Sequence, residues 1–552
     1  MPELTPWNTL PKMLRDVATR RPEHRVVIDG SEELTLEQLR KAASDTARAL
    51  AAKGVGPGDR VAIWAPNCLQ WVVTAFGIWD AGAVVVPLST RAKGLETVDA
   101  LRRTEATALF VVDQFLGSSY LSMLSEAAGG AGAGVPYAGL KNLQTVVVLG
   151  PDVPSGTGHI LGWDAFLSTS VETPLEVSER TALAVGPDDP FEILMTSGTT
   201  GEPKGVVLNG SQILRAYWDW SAICGLDEGD RFPVVSPFAH GFGINAGLII
   251  CVARLATIVP IAVFDPDRAL ELVESLGLTV LAGPPNLFAS ILANPELGTR
   301  DISTLRWAVV GAATVPEPLI HAMQNTLGFE RVTNAYGLIE GSVVTMTRPG
   351  DSPETVASTA GSPVPGMAVR IVDADDFPVG PGEPGEVHIR GYGVMQRYWD
   401  APQLTADALD DDGWLRTGDI GILDADGNLR IVDRKKEMFI VGGFNSYPAE
   451  IENLLMRNSA VAQAAVIGVP DDKLGEVPWA FVTTDGSPAT GEDIAAWARK
   501  NMSNYKVPRR VFVLDELPVT ANGKIEKAAL RRSALAEAPQ SPRAGLDVGA
   551  GI

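Results

Sequence analysis

The 552-residue chain is poor in cysteine, in basic charge and in unbroken apolar length, and each shortage excludes something. Cysteine occurs only at Cys68, Cys224 and Cys251. An odd number at such wide spacing makes neither a disulfide framework nor a metal-binding motif. Cys68 and Cys251 sit beside apolar runs, which predicts buried free thiols and fits a reducing cytoplasm. Against 67 acidic residues stand 45 Lys and Arg, a net charge of −22. Nucleic-acid-binding surfaces carry the opposite sign, so no nucleic-acid partner is expected. Small anions remain possible ligands, because a local cluster of cations and N–H groups can hold phosphate on an acidic protein. The opening "MPELTPWNTLPKML" lacks the basic-then-apolar order of a secretion signal. The most apolar stretch, "GLIICVARLATIVPIAVF", is broken by Arg254 and Pro260; it reads as buried strands and turns, not a membrane span. No fixed-period repeat is visible.

What the chain does contain is a large supply of core. Hydrophobic residues make up 45% and charged residues 20%, enough for several packed units. Short β-rich runs alternate with helix-sized segments: "RVAIWAP", then "CLQWVVTAFGIWDAG" ending at Gly82, then "AVVVPL". The rhythm returns in "ATALFVV", "LQTVVVLG", "TVLAGPP" and "WAVVGAA". This predicts βαβ units and mostly parallel sheets. The Gly/Ala-rich stretch Ala127 to Leu140 reads as a mobile surface insertion. From about Met367 the texture changes; "VRIVDADDFPVGPGEPGEVHIRG" alternates between turn dipeptides and predicts a small antiparallel, barrel-like unit. After "RIVDRKKEMFIVGG" comes a compact α/β segment of roughly a hundred residues. It holds an amphipathic helix, "YPAEIENLLMRN", and a strand, "AVAQAAVIGVP". The closing "APQSPRAGLDVGAGI" has no core pattern and reads as a disordered tail.

One loop, "LMTSGTTGEPKGVV", concentrates small donors. Thr196, Ser197, Thr199 and Thr200 offer hydroxyls, Gly198, Gly201 and Gly205 let backbone N–H groups come close to an anion, and Lys204 adds a mobile cation. That chemistry suits phosphate. It is not a Walker motif, since Pro203 precedes the lysine and Gly205 follows it. A flexible surface turn is the plain alternative. Four further islands follow. "VVSPFAHGFGINAG" sets His240 between Phe238 and Phe242; "NAYGLIEGS" carries Tyr336, Gly337 and Glu340; "GWLRTGDIG" carries Thr417, Gly418 and Asp419; "LPVTANGKIEKAALR" places Lys524 after an Asn-Gly turn.

In order and spacing these five islands closely resemble the adenylate-forming superfamily, which includes acyl-CoA synthetases, peptide-synthetase adenylation domains and luciferases. The likeness runs from "LTLEQLRKAA" to Arg532, and "DRKKEMFIVGGFNSYPAEIE" is most similar to CoA ligases of aryl, medium-chain or steroid-derived acids. The resemblance implies an α/β fold: a large N-terminal domain, residues 1–435, of two α/β parallel-sheet subdomains plus a small β-barrel-like subdomain. A small mobile α+β C-terminal domain, 436–535, and a disordered tail, 536–552, would follow. It implies ATP, Mg²⁺ and CoA as cofactors and a carboxylic acid as substrate, with monomer and homodimer equally compatible. Thr196 to Lys204 would hold the phosphates, Glu340 would hold Mg²⁺, and Asp419 would accept from the ribose hydroxyls. Tyr336 would stack on adenine with Gly311 and Ala312 on its other face; Gly337 and Ile339 flank the nucleotide, and Arg434 lies near ribose and phosphates. Lys524 would bridge the attacking carboxylate and the α-phosphate, a task for a point charge on a flexible stem; without the resemblance it reads as a solvated lysine at a turn. Lys436 falls at the hinge about which the small domain turns, and Gly442 and Gly443 would leave room for the pantetheine arm, or form a plain turn. His240 would border the acyl pocket, or be a packed core histidine.

Two positions depart from the pattern. The family writes a threonine where this chain has Ile339, so a hydroxyl expected at the α-phosphate is absent and bulk is added beside the acid. A lost donor to a charged group costs on the order of 1.5–3 kcal/mol. Asn245 stands where many relatives carry lysine. These departures open an alternative: an ATP-dependent diazotase of secondary metabolism that adenylates nitrite, diazotises an aromatic amine and needs no CoA. A nucleotide-binding pseudoenzyme is the alternative from a different class, opposed by Lys524, Glu340 and Asp419.

Overall fold

The computed structural model describes residues 5–130, 136–150, 159–197, 203–311, 315–434, 439–484, 486, 488–518, 525 and 527–537. These divide into two compact units. One is built from residues 1–196 and 204–435, the other from 197–203 and 436–552.

The first unit is organised by the apolar runs. Arg60–Trp64, Val84–Pro87, Ala108–Val111 and Thr145–Val148 are neighbouring parallel strands of an eight-stranded sheet. The helix Leu69–Asp80 crosses from the first to the second and ends before Gly82, whose φ of 69° only glycine adopts without strain. Strand pleating sends alternate side chains to opposite faces. Val61 and Ile63 enter one buried cluster, Ala62 and Trp64 another. The sheet is therefore covered on both sides, as a parallel sheet must be.

Pro190–Ser197 joins this sheet beside Val84–Pro87, followed by Pro203–Asn209 and the short edge strand Arg397–Tyr398. A second sheet aligns Val280–Gly283, Trp307–Gly311 and Arg331–Leu338 in parallel, and Ser342–Met346 turns back antiparallel. A third contains Arg231–Val234, Thr257–Pro260 and Arg25–Asp29, also parallel. The alternating region beyond Met367 forms four antiparallel strands: Met367–Val372, Gly385–Gly391, Leu415–Leu423 and Leu429–Arg434.

The second unit is α+β. Gln463–Asp471 and Gly475–Thr483 form a nine-pair antiparallel ladder, and Arg510–Val513 adds in parallel. Helices Pro448–Leu455 and Gly491–Asn501 pack on it, burying Ile451, Leu455, Ile494 and Ala498. The amphipathic helix and the strand expected here are both present.

Two expectations are corrected. The stretch expected as strands and turns is helical first: a π-helix, Gly243–Ile250, runs into a short α-helix, Cys251–Arg254, before the strand Thr257–Pro260. A continuous apolar run has no period by which to tell a buried helix from a buried strand. Among the described residues no helix is long and apolar enough to cross a membrane. The Gly/Ala-rich stretch is not a free surface insertion, because Tyr137 and Leu140 are buried in the second cluster; residues 131–135 lie outside the described part. All three cysteines are free; Cys224 and Cys251 are buried and Cys68 is half-buried. The closing tail beyond Glu537 lies outside the described residues.

Candidate functional site

Thr196, Gly311 and Tyr336 lie at or near the carboxyl ends of parallel strands, where open α/β sheets place ligands, whereas Asp419 and Arg434 lie in the antiparallel sheet. Gly311 ends its strand opposite Ala335, next to Tyr336. Gly337 follows, and a side chain there would strike the Ser342 carbonyl, so the bulge after Tyr336 requires glycine. The half-buried Tyr336 donates its hydroxyl to Asp419 Oδ2 at 2.5 Å. The two residues expected at adenine and ribose are thus joined directly.

Asp419 is 2% exposed on the strand Leu415–Leu423. Its N–H donates to Thr417 Oγ1 at 3.1 Å, and Thr417 in turn donates to the Val387 carbonyl at 2.7 Å. Gly418 between them has φ 73°, and its N–H donates to Glu386 Oε1 at 3.3 Å. The Thr-Gly-Asp island is therefore a bent strand segment that fixes one carboxylate. Arg434 pairs with Asp419 across the neighbouring strand, which sets its backbone beside the same carboxylate.

Glu340 lies in the turn after Tyr336 and Ile339. Its Oε1 accepts from the Tyr398 hydroxyl at 3.0 Å, and its carbonyl accepts from Met395 N–H at 2.8 Å. The Lys204 ammonium lies 4.9 Å from the centroid of the same Tyr398 ring, within cation–π range. Thr196 Oγ1 donates to the Lys204 carbonyl at 3.5 Å. Tyr398 thus links the loop lysine to the carboxylate expected to hold a metal, a role sequence reasoning missed. No local spacing reveals it: Tyr398 reaches the site by pairing its strand with Pro203–Asn209, with Val206 opposite.

His240 is an exposed residue. Desolvation by the chain packed around it pushes its pKa below the usual histidine range. Its Nδ1 accepts from Phe242 N–H at 3.3 Å, which suits a neutral ring. The flanking aromatics are engaged elsewhere. Phe238 packs on Trp71 with centroids 5.0 Å apart, and Phe242 packs edge-on to Trp220 at 5.6 Å. Beside His240, Gly241 is buried. A Cβ there would stand 3.4 Å from Leu194 Cδ1 and 4.0 Å from both Ile339 Cγ1 and Asn245 Nδ2. Ile339 therefore packs close to Gly241, the residue after His240.

Asn245 Nδ2 donates to Glu192 Oε1 at 3.1 Å in a wholly buried contact. Sequence reasoning missed Glu192, although one acid inside the apolar run "FEILM" is itself a signal. Burial pushes its carboxyl up to about 8, against a smaller downward pull from the Asn245 donor.

Other expected residues lie outside this picture. Gly198, Thr199, Thr200, Gly201, Ala312, Lys436 and Lys524 are outside the described residues, as are the side chains of Ser197 and Arg434. In the second unit Gly442 and Gly443 form the two-residue loop of the hairpin Phe439–Val441/Phe444–Ser446. Their φ values of 56° and 86° are those of a type I′ turn, which favours glycine at both places.

A family model for AMP-binding enzymes matches residues 14–399, and its C-terminal domain matches 450–524. The chain belongs to the AMP-binding enzyme family. Two of its similar relatives are 7a-methyl-1,5-dioxo-octahydro-1H-inden-4-yl propanoyl:CoA ligases. The one from Rhodococcus jostii is 42% identical over 95% of this chain and 98% of its own length. The one from Mycobacterium tuberculosis is 44% identical with the same coverage. A solved o-succinylbenzoate CoA synthetase from Bacillus subtilis superposes with a TM-score of 0.76 at 26% identity, over 94% of this chain and 98% of its own. The AMP-binding enzyme described here is accordingly an ATP-dependent, AMP-forming acyl-CoA ligase. These matches favour CoA ligation over the diazotase and pseudoenzyme readings.

Proposed function

We propose that this AMP-binding enzyme activates an alicyclic oxo-acid, a propanoate carrying a ring ketone, and passes it to CoA. The reading draws on the acid that the two propanoyl:CoA ligases are named for. It also draws on the closeness of Ile339, expected beside the acid, to Gly241 and so to the His240 loop. The observation that carries the adenylation half is the paired arrangement of Tyr336 on Asp419 and of Lys204 and Glu340 about Tyr398.

In the first half-reaction the carboxylate oxygen attacks the α-phosphorus of ATP and the bond to pyrophosphate breaks. Negative charge grows on the phosphoryl oxygens, and stabilising it is the main task of the protein. Tyr336 stacks on the base, Asp419 accepts from the ribose, and the loop ending at Lys204 holds the leaving phosphates. Lys524 bridges carboxylate and α-phosphate. Mg²⁺ asks for one or two carboxylates when substrate phosphates complete its shell; Glu340, held by Tyr398 in a hard-oxygen setting, fits that demand, and the ion would neutralise phosphate charge there. In the second half-reaction the CoA thiol attacks the acyl carbon and AMP leaves. The Gly442–Gly443 hairpin, with no side chains at its turn, leaves room for a pantetheine arm. A cytoplasmic site of action fits the ATP and CoA supply.

Acid-dependent pyrophosphate release tests this, with alicyclic oxo-acids, aryl acids, fatty acids and nitrite, each offered CoA or an aromatic amine. Release with oxo-acids, followed by thioester formation, supports the reading. Release with nitrite and amine alone refutes it. The variant Lys524→Ala should lose adenylation by at least about a hundredfold while ATP binding changes little; equal loss of both would place the lysine in nucleotide binding.

A further inference from the structure

The two strands of the Gly442–Gly443 hairpin are held unequally. The first, Phe439–Val441, is built into the sheet of the second unit. Val441 pairs with Gly475, and Gly442 N–H donates to the Leu474 carbonyl at 2.8 Å. The second, Phe444–Ser446, is the edge of that sheet; among the described residues it pairs with Phe439–Val441 alone. Three residues on one ladder form few hydrogen bonds, and a two-stranded hairpin by itself is only marginally stable. Side chains must therefore help to fix where the turn points.

Phe444, directly after the turn, is half-buried and stacks on Tyr505, with ring centroids 4.9 Å apart and planes 24° from parallel. Tyr505 sits in a short turn ahead of the strand Arg510–Val513, closed by Lys506 N–H donating to the Ser503 carbonyl at 2.8 Å. Its neighbour Lys506 is buried, and the ammonium donates to the equally buried Glu450 Oε1 at 2.6 Å. The same ammonium lies 5.4 Å from the Tyr505 ring centroid, within cation–π range. Glu450 stands in the first turn of the helix Pro448–Leu455, which follows the hairpin in the chain. A buried Lys–Glu pair adds little net stability, because desolvation offsets its attraction, yet parting it leaves a charge unmet. It thus ties the Tyr505 turn to that helix in one geometry. Glu450, Lys506, Tyr505 and Phe444 make a single chain of contacts that ends beside Gly443.

We propose that Tyr505, anchored by the Lys506–Glu450 pair, is a positioning residue for thioester formation: it holds Phe444 and so keeps the Gly442–Gly443 turn preformed for the pantetheine arm of CoA. This rests on the role given to that turn above and assigns the residues that maintain it. A turn already in its binding shape has no ordering cost when CoA arrives. A turn that is correct only part of the time lowers the apparent affinity by that fraction. Adenylation comes before CoA and does not use the turn, so the stack acts on the second half-reaction alone.

The test follows both half-reactions on the full chain with an acid that the wild type activates: single-turnover pyrophosphate release without CoA, and thioester formation as CoA is varied. Tyr505→Leu should raise KM for CoA by about two- to tenfold, the worth of an aromatic pair. Its kcat at saturating CoA and its pyrophosphate release without CoA should match the wild type. Tyr505→Phe keeps the ring and should keep the wild-type KM. Lys524, assigned above to adenylation, belongs to the same unit, so normal pyrophosphate release also reports that the unit is folded. A Leu variant that loses both half-reactions equally has lost structure only, and overturns the assignment. So does a Leu variant with unchanged KM, or a Phe variant as weak as Leu; each leaves the CoA-ligase activity standing. A wild type that forms no thioester removes the role of the turn and this assignment with it.

Discussion

Replacing Glu192 by glutamine should stabilise the protein, and increasingly so as the pH rises. The carboxyl is fully buried, accepts one hydrogen bond, and has its pKa pushed from 4.5 to about 8, mainly by loss of water. Among the described residues the titratable group that feels it is Tyr217, whose phenol is itself pushed up by burial and stays neutral. The folded pKa exceeds the unfolded one, so the native state is favoured most below about pH 4.5 and loses that advantage as the pH climbs toward 8. At about 1.4 kcal/mol per pH unit, ionisation of the unfolded chain costs the native state roughly 3 kcal/mol at pH 7 and roughly 5 above pH 8. A glutamine has no such dependence and keeps the contact with Asn245. Melting midpoints of wild type and Glu192→Gln should therefore lie close together near pH 5 and separate by several degrees at pH 8, the variant melting higher. A constant difference between pH 5 and pH 9 would show that Glu192 stays ionised throughout, and the buried-acid argument would fall.

Tyr398→Phe should lower acid-dependent pyrophosphate release by about three- to tenfold, since Glu340 loses one hydrogen bond while Lys204 keeps an aromatic face. Tyr398→Leu should fall further, and equal rates for the two variants would deny the cation–π contact a role. Ile339→Thr restores the hydroxyl expected at the α-phosphate and should raise the adenylation rate by about tenfold or more. An unchanged rate in single-turnover AMP transfer would mean that another donor already serves there.

The parallel sheets were legible because β-branched runs such as "AVVVPL" and "LQTVVVLG" are short, apolar and separated by helix-length segments. The antiparallel unit after Met367 was legible from alternation and turn dipeptides. The π-helix was not, because an apolar segment buried on every side carries no phase, and a five-residue hydrogen-bond step leaves no mark in composition. In the site, Tyr336, Glu340 and Asp419 announce themselves through glycine-bearing islands, where backbone demands fix the neighbours. Tyr398 sits in ordinary strand sequence and becomes a partner of the site only through pairing across a long stretch of chain. Contacts of that kind are a property of topology rather than of any window of residues.

A π-helical turn amounts to an α-helix carrying one residue too many. At Gly243–Ile250 the surplus residue sets the angular phase of Asn245 relative to Glu192. Removing a single residue from that span would let the helix relax to its ordinary pitch and swing the amide by about a hundred degrees, away from the carboxyl. The pairing of Asn245 with Glu192 can thus be undone by length alone, with no substitution in either residue. In descendants of this chain, one codon gained or lost here is a short route to a buried acid without its amide partner.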